Sequence, residues 1–193
     1  MCVSIHSIGS FEMNSIFEKE FTFAFTVRKP SILMAGGYTY GTGDEPTKDI
    51  TSVQVISNTQ HNYSLPNLPY AMTERPVMFI HSQEDIIVCG GNQAKTKKNS
   101  ERNCLKLERG QLVQHSMLKR ERTESSIVTI QKGTFIFGGY CSPYTYEYLL
   151  HNSRKWTLGK TQIPDGYFAG STVAISEEEI YLIGGNIPDD LDE

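Results

Sequence analysis

Four glycine pairs recur along the chain, and this repetition constrains the fold more than any other feature of the sequence. The pairs begin 54, 48 and 46 residues apart. Random placement of the 16 glycines would give only about one adjacent pair. Each pair follows a short apolar run and is itself followed by Tyr or Asn. The pairs are Gly36-Gly37, Gly90-Gly91, Gly138-Gly139 and Gly184-Gly185.

A further apolar segment precedes each of these runs, and a short polar turn joins the two. In the first copy Phe21, Phe23 and Phe25 alternate with small or polar residues, which is the period of a strand and not of a helix. Two strands joined by about four residues form a hairpin. The predicted first strands are residues 21–27, 77–81, 126–130 and 171–175, and the predicted second strands are 32–35, 86–89, 135–137 and 180–183.

Two weaker strands follow each of the first three glycine pairs. They are predicted at 49–57 and 63–65, at 103–107 and 111–116, and at 145–150 and from Trp156 onward. The unit is therefore four antiparallel strands in 46 to 54 residues, which predicts an all-β fold built from blade-like sheets. A helix at 116–126 is the alternative, but that segment has no apolar stripe and we interpret it as a connection.

A double glycine after a hydrophobic strand at this spacing resembles the kelch repeat. Trp156, after a polar turn, resembles the tryptophan of that repeat, and Tyr63 resembles its substitute in the first copy. Arg75 and Arg122 lie 15 and 16 residues before a glycine pair, where the family carries an arginine. Phe168 occupies that place in the last copy, and the second copy has no aromatic residue at the tryptophan position.

The resemblance implies an incomplete kelch-type β-propeller of about three and a half four-stranded blades. The expected blades are residues 21–66, 75–117, 122–163 and, in part, 169–186, with an N-terminal segment at 1–20 that can be disordered and an acidic tail at 187–193. Propellers close with about 4 to 8 blades, and an open array exposes apolar flanks. We therefore expect a fragment of a longer protein, a truncated gene product or a chain that completes itself by association.

Strand parity predicts that one end of the array carries the recognition residues. In a four-stranded antiparallel blade, the loop between the second and third strands lies on the same side as the connection to the next blade, and loops on a rigid scaffold commonly carry recognition. The alternative is that most of these residues pack between blades or are exposed without a partner. The predicted partner-binding residues are Tyr38, Tyr40, Arg75, Asn92, Lys95, Lys97, Lys98, Arg102, Arg122, Tyr140 and Tyr144.

The loop at 92–102 is the most distinctive part of this surface. It carries four basic residues and one acidic residue, and Lys119, Arg120 and Arg122 follow it on the same side. Such a patch would attract an acidic protein or peptide, although a solvated loop without a partner is the alternative. Nucleic acid is not expected as a partner, because the net charge is −4 and no aromatic residues alternate with these lysines.

The sequence indicates no catalytic site, cofactor or metal. The histidines form no metalloprotease pattern, and neither a nucleophile elbow nor a P-loop is present. The cysteines are widely spaced, so we expect no zinc and favour reduced thiols, although their even number permits disulfides. The N-terminus does not resemble a secretory signal, and no apolar run is long enough to span a membrane, so we expect a cytoplasmic protein. The cysteines are Cys2, Cys89, Cys104 and Cys141.

The resemblance implies a function in protein–protein interaction. Kelch-like propellers serve as the substrate-recognition part of ubiquitin ligase adaptors, a role that would require sequence beyond these residues. A cytoskeletal scaffold that binds actin is an alternative. A kelch-type sugar mutarotase-like enzyme is a less favoured one, because nothing in the sequence specifies its polar pocket.

Overall fold

The computed structural model of the chain is an all-β structure made of antiparallel sheets. It describes residues 67–69, 72, 75–82, 85–91 and 102–187 in full, and the backbone of the strands between residues 24 and 65. No α-helix occurs among the described residues, and none of them forms a helix able to cross a membrane. The fold class predicted from the alternating pattern is therefore confirmed at the level of antiparallel sheets.

Sheet 1 is formed by the first repeat, with two short strands inserted in its longest loop. Its strands are β1 (Ala24–Arg28), β2 (Ser31–Ala35), β5 (Val53–Ser57) and β6 (Tyr63–Leu65). They pair in the order β1-β2-β5-β6. The inserted strands β3 (Tyr38–Thr39) and β4 (Lys48–Asp49) pair with each other. The chain between β2 and β5 therefore contains a small antiparallel ladder.

Sheet 2 has the same order, and its fourth strand is fully formed although the aromatic residue of the repeat is missing there. The strands are β7 (Val77–His81), β8 (Asp85–Cys89), β9 (Asn103–Glu108) and β10 (Gln111–Met117). They pair consecutively, with β10 at the outer edge. A register shift between Gln114 and Ser116 bends this outer strand.

The third repeat forms a complete sheet and the fourth forms half of one. Sheet 3 contains β11 (Ser126–Ile130), β12 (Gly133–Phe137), β13 (Tyr146–Leu150) and β14 (Thr157–Leu158) in consecutive order. Sheet 4 contains β15 (Ser171–Ala174) and β16 (Ile180–Ile183). The first strands of successive sheets are neighbours, because β1 lies beside β7, β7 beside β11 and β11 beside β15.

Burial of apolar side chains between sheets 2 and 3 holds the described part of the chain together. Phe79, Ile87, Ile136 and Leu149 belong to one buried cluster in which the Trp156 ring stands edge-on to Phe79. Trp156 is the largest fully buried side chain. Its indole Nε1 donates a hydrogen bond to the Ser116 hydroxyl of sheet 2 at 3.2 Å. Trp156 therefore joins sheet 3 to sheet 2.

The glycine pairs stand where the backbones of two connections approach closely. All three described pairs have positive φ angles, between 59° and 105°, a region that favours glycine. Gly139 donates its N–H to the Tyr167 carbonyl at 2.8 Å, and a Cβ on Gly139 would lie 2.6 Å from the Thr123 carbonyl oxygen. Side chains are therefore excluded from this turn. The first pair, Gly36-Gly37, lies outside the described residues.

The expectation of reduced thiols is wrong for one cysteine pair. Cys89 on β8 and Cys104 on β9 face each other directly in the strand register and form a disulfide, with their Cα atoms 4.1 Å apart. Both are fully buried in the cluster between sheets 2 and 3. The physical reason is the register of the hairpin, which brings two positions 15 residues apart in sequence to adjacent points of neighbouring strands.

Candidate partner-binding face

The connections between sheets and the β12–β13 loop meet at one end of the structure, as strand parity predicts. The Tyr140 N–H donates to the Thr123 carbonyl at 2.9 Å, and the Ala169 N–H donates to the Glu124 carbonyl at 2.7 Å. Arg75 reaches the Glu124 carboxylate at 3.8 Å. We call this end the loop face and define it by residues 75, 118–125, 138–145 and 163–170.

Two tyrosines present exposed rings from fixed backbone positions on the loop face. The side chains of Tyr140 and Tyr144 are 57% and 42% exposed. The Tyr140 ring stands edge-on to Phe168 at 5.6 Å between centroids, and the Tyr144 carbonyl accepts the Ile163 N–H at 2.9 Å. Exposed aromatic rings on a fixed backbone are typical of protein-binding anchors.

Arg75 lies on this face, but its structural equivalent in the next repeat is not Arg122. Arg75, Glu124 and Ala169 each lie two residues before the first strand of a sheet, and each has a left-handed φ near 54°. Counting residues back from the glycine pair misaligns the repeats, because the turn between the first two strands differs in length. Arg75 is half exposed, and its surface ion pair with Glu124 contributes little to stability.

Arg122 was predicted to bind a partner, but its guanidinium is buried inside sheet 3. The side chain is 0% exposed. Its Nε donates to Glu147 at 3.2 Å, Nη1 donates to the Gly138 and Thr145 carbonyls, and Nη2 donates to the Thr145 hydroxyl at 3.0 Å. Burial lowers the pKa of Arg122 and the Glu147 carboxylate opposes that shift. Because its donors are directed into the protein, Arg122 does not belong to the partner surface.

Glu147 fixes the backbone beneath two exposed basic side chains. Its carboxylate oxygens accept the N–H groups of Lys119 at 2.6 Å and Arg120 at 2.9 Å, in addition to the Arg122 bond. The side chains of Lys119 and Arg120 themselves are exposed. The buried Glu147 carboxylate thus fixes the backbone positions from which the Lys119 and Arg120 side chains extend into solvent.

Arg102, the last residue of the loop at 92–102 (the basic loop), is bonded to the connection that follows sheet 2. Arg102 donates its Nε to the Leu118 carbonyl at 2.8 Å, and Leu118 returns its own N–H to the Arg102 carbonyl at 2.7 Å. The Cys89–Cys104 disulfide joins β8 and β9, the two strands on either side of this loop. Arg102 therefore anchors the loop. Of the remaining predicted contacts, Tyr38 is described only as strand backbone, and the others lie outside the described residues: Tyr40, Asn92, Lys95, Lys97 and Lys98.

The opposite end of sheets 2 and 3 contains a buried histidine contact that the sequence analysis did not find. The rings of His81 and His151 are 4.8 Å apart between centroids. His81 Nδ1 lies 3.0 Å from the Thr134 hydroxyl, and His151 Nε2 lies 3.0 Å from the Ile130 carbonyl. Burial, and then His151, lower the pKa of His81 from 6.5 to about 4. Within the described part of the chain no group of three or more His, Cys, Asp or Glu side chains could hold a metal ion.

The inward position of Glu147 on β13 requires its bonds to Arg122 and the neighbouring backbone. On β13 the side chains alternate between half-buried and buried, and Glu147 falls on the buried side with Leu149. A carboxylate at an inward-facing strand position requires a buried cation or donor. The sequence of β13 alone does not predict this, because Tyr146, Tyr148 and Leu150 make the other side of the strand the more apolar one.

Comparison with known proteins identifies a fold and no family. No protein-family model matches the chain, and no curated protein matches it. A solved structure described as that of YjhT matches with a TM-score of 0.62 and 16% sequence identity, over 78% of this chain and 55% of the YjhT chain. This chain thus spans about half the length of that structure. At this identity the likeness concerns the fold alone.

Proposed function

We propose that this chain is a protein-interaction module of the kelch type, a partial propeller that binds an acidic protein or peptide through the loop face. The observation that carries the proposal is the pair of exposed cations, Lys119 and Arg120, whose backbone N–H groups are held by the buried Glu147 carboxylate. Cations on a fixed backbone lose less conformational freedom on binding than cations on a mobile loop.

The neighbouring groups of the loop face suit a partner that is acidic and partly apolar. Tyr140 and Tyr144 offer exposed rings, Arg75 adds a half-exposed guanidinium, and Arg102, the last residue of the predicted basic loop, is bonded to Leu118 beside them. Positive charge speeds the encounter with an acidic segment, and aromatic rings contribute most of the energy once it is bound. Recognition of a substrate by a ubiquitin ligase adaptor would use this arrangement in the same way.

Fluorescence anisotropy with a labelled peptide rich in Asp and Glu, and containing one Phe, tests the proposal. The double variant Lys119→Glu/Arg120→Glu should bind about tenfold more weakly, since each reversed surface charge changes the interaction by about 0.5 to 1 kcal/mol. Lys132→Glu/Lys155→Glu is the matched control, because these two lysines are exposed on turns at the opposite end. It should leave binding unchanged.

Equal weakening by the two double variants would show that only net charge matters and would remove the loop face as the binding site. Replacing Tyr140 by Ala should also weaken binding, with no change in the salt dependence of affinity. Co-sedimentation with actin filaments distinguishes the scaffold alternative, which predicts filament binding that the acidic peptide does not displace.

A further inference from the structure

Sheet 4 presents an apolar flank that no described residue covers. The register pairs Val173 with Tyr181 and Ser171 with Ile183, which places these side chains on one face of the hairpin. The opposite face packs toward sheet 3, where the Thr172 hydroxyl donates to the Ile127 carbonyl at 2.8 Å. We call the first face the outer flank. Its apolar residues, together with those that extend it, are Val173, Ile175, Tyr181, Ile183 and Ile187.

The outer flank is large enough to be an interaction surface. Its five large apolar side chains are between 37% and 66% exposed, which corresponds to roughly 500 Å² of apolar surface. A contiguous patch of this size on a soluble protein commonly marks a contact site. It amounts to more than half of the ~800 Å² that each partner buries in a stable interface of standard size.

The sheets of the chain show what kind of surface fits this flank. Each junction between successive sheets places the first strand of one sheet beside the first strand of the next. At the other end of the array, the β2 sequence SILMA carries apolar residues at both alternating positions, and the β1 sequence AFTVR carries Phe and Val at one of them. A sheet that is apolar on both faces requires a neighbour on each side, and β7 provides only one of them.

The length of the matching fold favours a second copy of this chain as the neighbour of the outer flank. The aligned region covers 55% of the YjhT chain, so nearly as much fold again lies beyond it. A second copy of this chain brings sheet 1 to the outer flank of the first copy, and the outer flank of the second copy then meets sheet 1 of the first. In an assembly of two copies, the outer flank and sheet 1 of each copy are therefore both covered.

We propose that two copies of this chain associate head to tail, with the outer flank of sheet 4 packed against sheet 1 of the partner copy. The contact joins two different surfaces, and it closes because each copy offers both of them. This inference is independent of the loop face and of any partner bound there.

Light scattering coupled to size-exclusion chromatography, over a hundredfold range of concentration, tests the association. The 193-residue chain should elute with twice its own mass and dissociate on dilution. Tyr181→Asp/Ile183→Asp should reduce the association constant at least a hundredfold, because it places two charges in the apolar contact. Val113→Asp/Met117→Asp is the matched control, since both residues are exposed apolar side chains on the outer strand β10. This control should remain dimeric.

Hydrogen exchange on the unmodified chain provides a test that needs no variant. Head-to-tail packing predicts that dimer formation slows amide exchange in β15 and β16 and also in β1 and β2. Protection confined to β16 would indicate edge-to-edge pairing of two hairpins and would overturn the proposal. A monomer at every concentration, or a dimer that tolerates the charged outer flank, would overturn it as well and would leave the flank to a different occupant.

Discussion

Acidification should destabilise the contact between sheets 2 and 3, because two histidine rings meet there in the interior. His81 is 3% exposed, and its ring lies between His151 at 4.8 Å and Phe79 at 6.3 Å. Among the described residues, neither His81 Nε2 nor His151 Nδ1 has a hydrogen-bond partner. His115 also disfavours the charged form, whereas Asp85 and the Leu150 carbonyl favour it. A proton added to His81 therefore enters a buried site beside a second imidazole.

The size of the effect follows from the difference between the folded and unfolded pKa values of His81. The folded value is about 4 and the unfolded value is 6.5. Below pH 6.5 the unfolded chain binds more protons than the folded chain, so the free energy of unfolding decreases as the pH falls. The loss should reach about 2 kcal/mol at pH 5 and about 3 kcal/mol near pH 4. Above pH 6.5 the stability contributed by this histidine is fully present.

Urea denaturation at a series of pH values between 7.5 and 4.5 measures this loss. His81→Gln, which retains a hydrogen-bonding group but cannot titrate, should be less stable at pH 7.5 and should lose about 2 kcal/mol less than the unmodified chain by pH 5. His115→Gln is the comparison variant: burial also lowers the pKa of His115, but this half-buried histidine lies on the outer strand, so its removal should reduce the acid-induced loss by less than His81→Gln does. If the unmodified chain and His81→Gln lose stability in parallel as the pH falls, the acid-sensitive group lies elsewhere and the reasoning is refuted.

Three further predictions concern the parts that hold the sheets together. Gly138→Ala should lower the free energy of unfolding by more than about 3 kcal/mol, because a Cβ would overlap the Tyr167 carbonyl oxygen. Gly184→Ala has open space around it and should lower the free energy of unfolding by about 1 kcal/mol. Equal shifts of the two variants in circular-dichroism melts would contradict this. Glu147→Gln should cost about 3 to 5 kcal/mol by leaving its arginine partner buried and uncompensated, and a urea midpoint close to that of the unmodified chain would argue against it. Reduction of the Cys89–Cys104 disulfide should cost about 3 kcal/mol for a loop of this length, and a reductant that also shifted the melt of the double-alanine variant would point to another cause.

The local pattern of the sequence predicts the strands well and the spatial relations between repeats less well. The predicted first strands 77–81 and 126–130 coincide with β7 and β11, because alternation and turn residues are local properties. The prediction that Arg75 and Arg122 occupy equivalent places is wrong, since backbone φ angles and not residue counts define the repeat. The pairing of Cys89 with Cys104 depends on the register of β8 and β9, and that register has no local signature in the sequence.

The turn at the third glycine pair shows how the loop face combines a bonded backbone with exposed side chains that the fold does not require. Gly139 is bonded to the connection that leaves sheet 3, and Tyr140 is bonded to the connection that enters it. Glu147 on β13 binds the entering connection at two further points, the Arg122 side chain and the Lys119 backbone. These bonds involve backbone groups and buried side chains, so they leave the exposed lysine and tyrosine side chains unconstrained by folding. Substitutions of the exposed groups should therefore change recognition without changing stability, and substitutions of the buried groups should do the reverse.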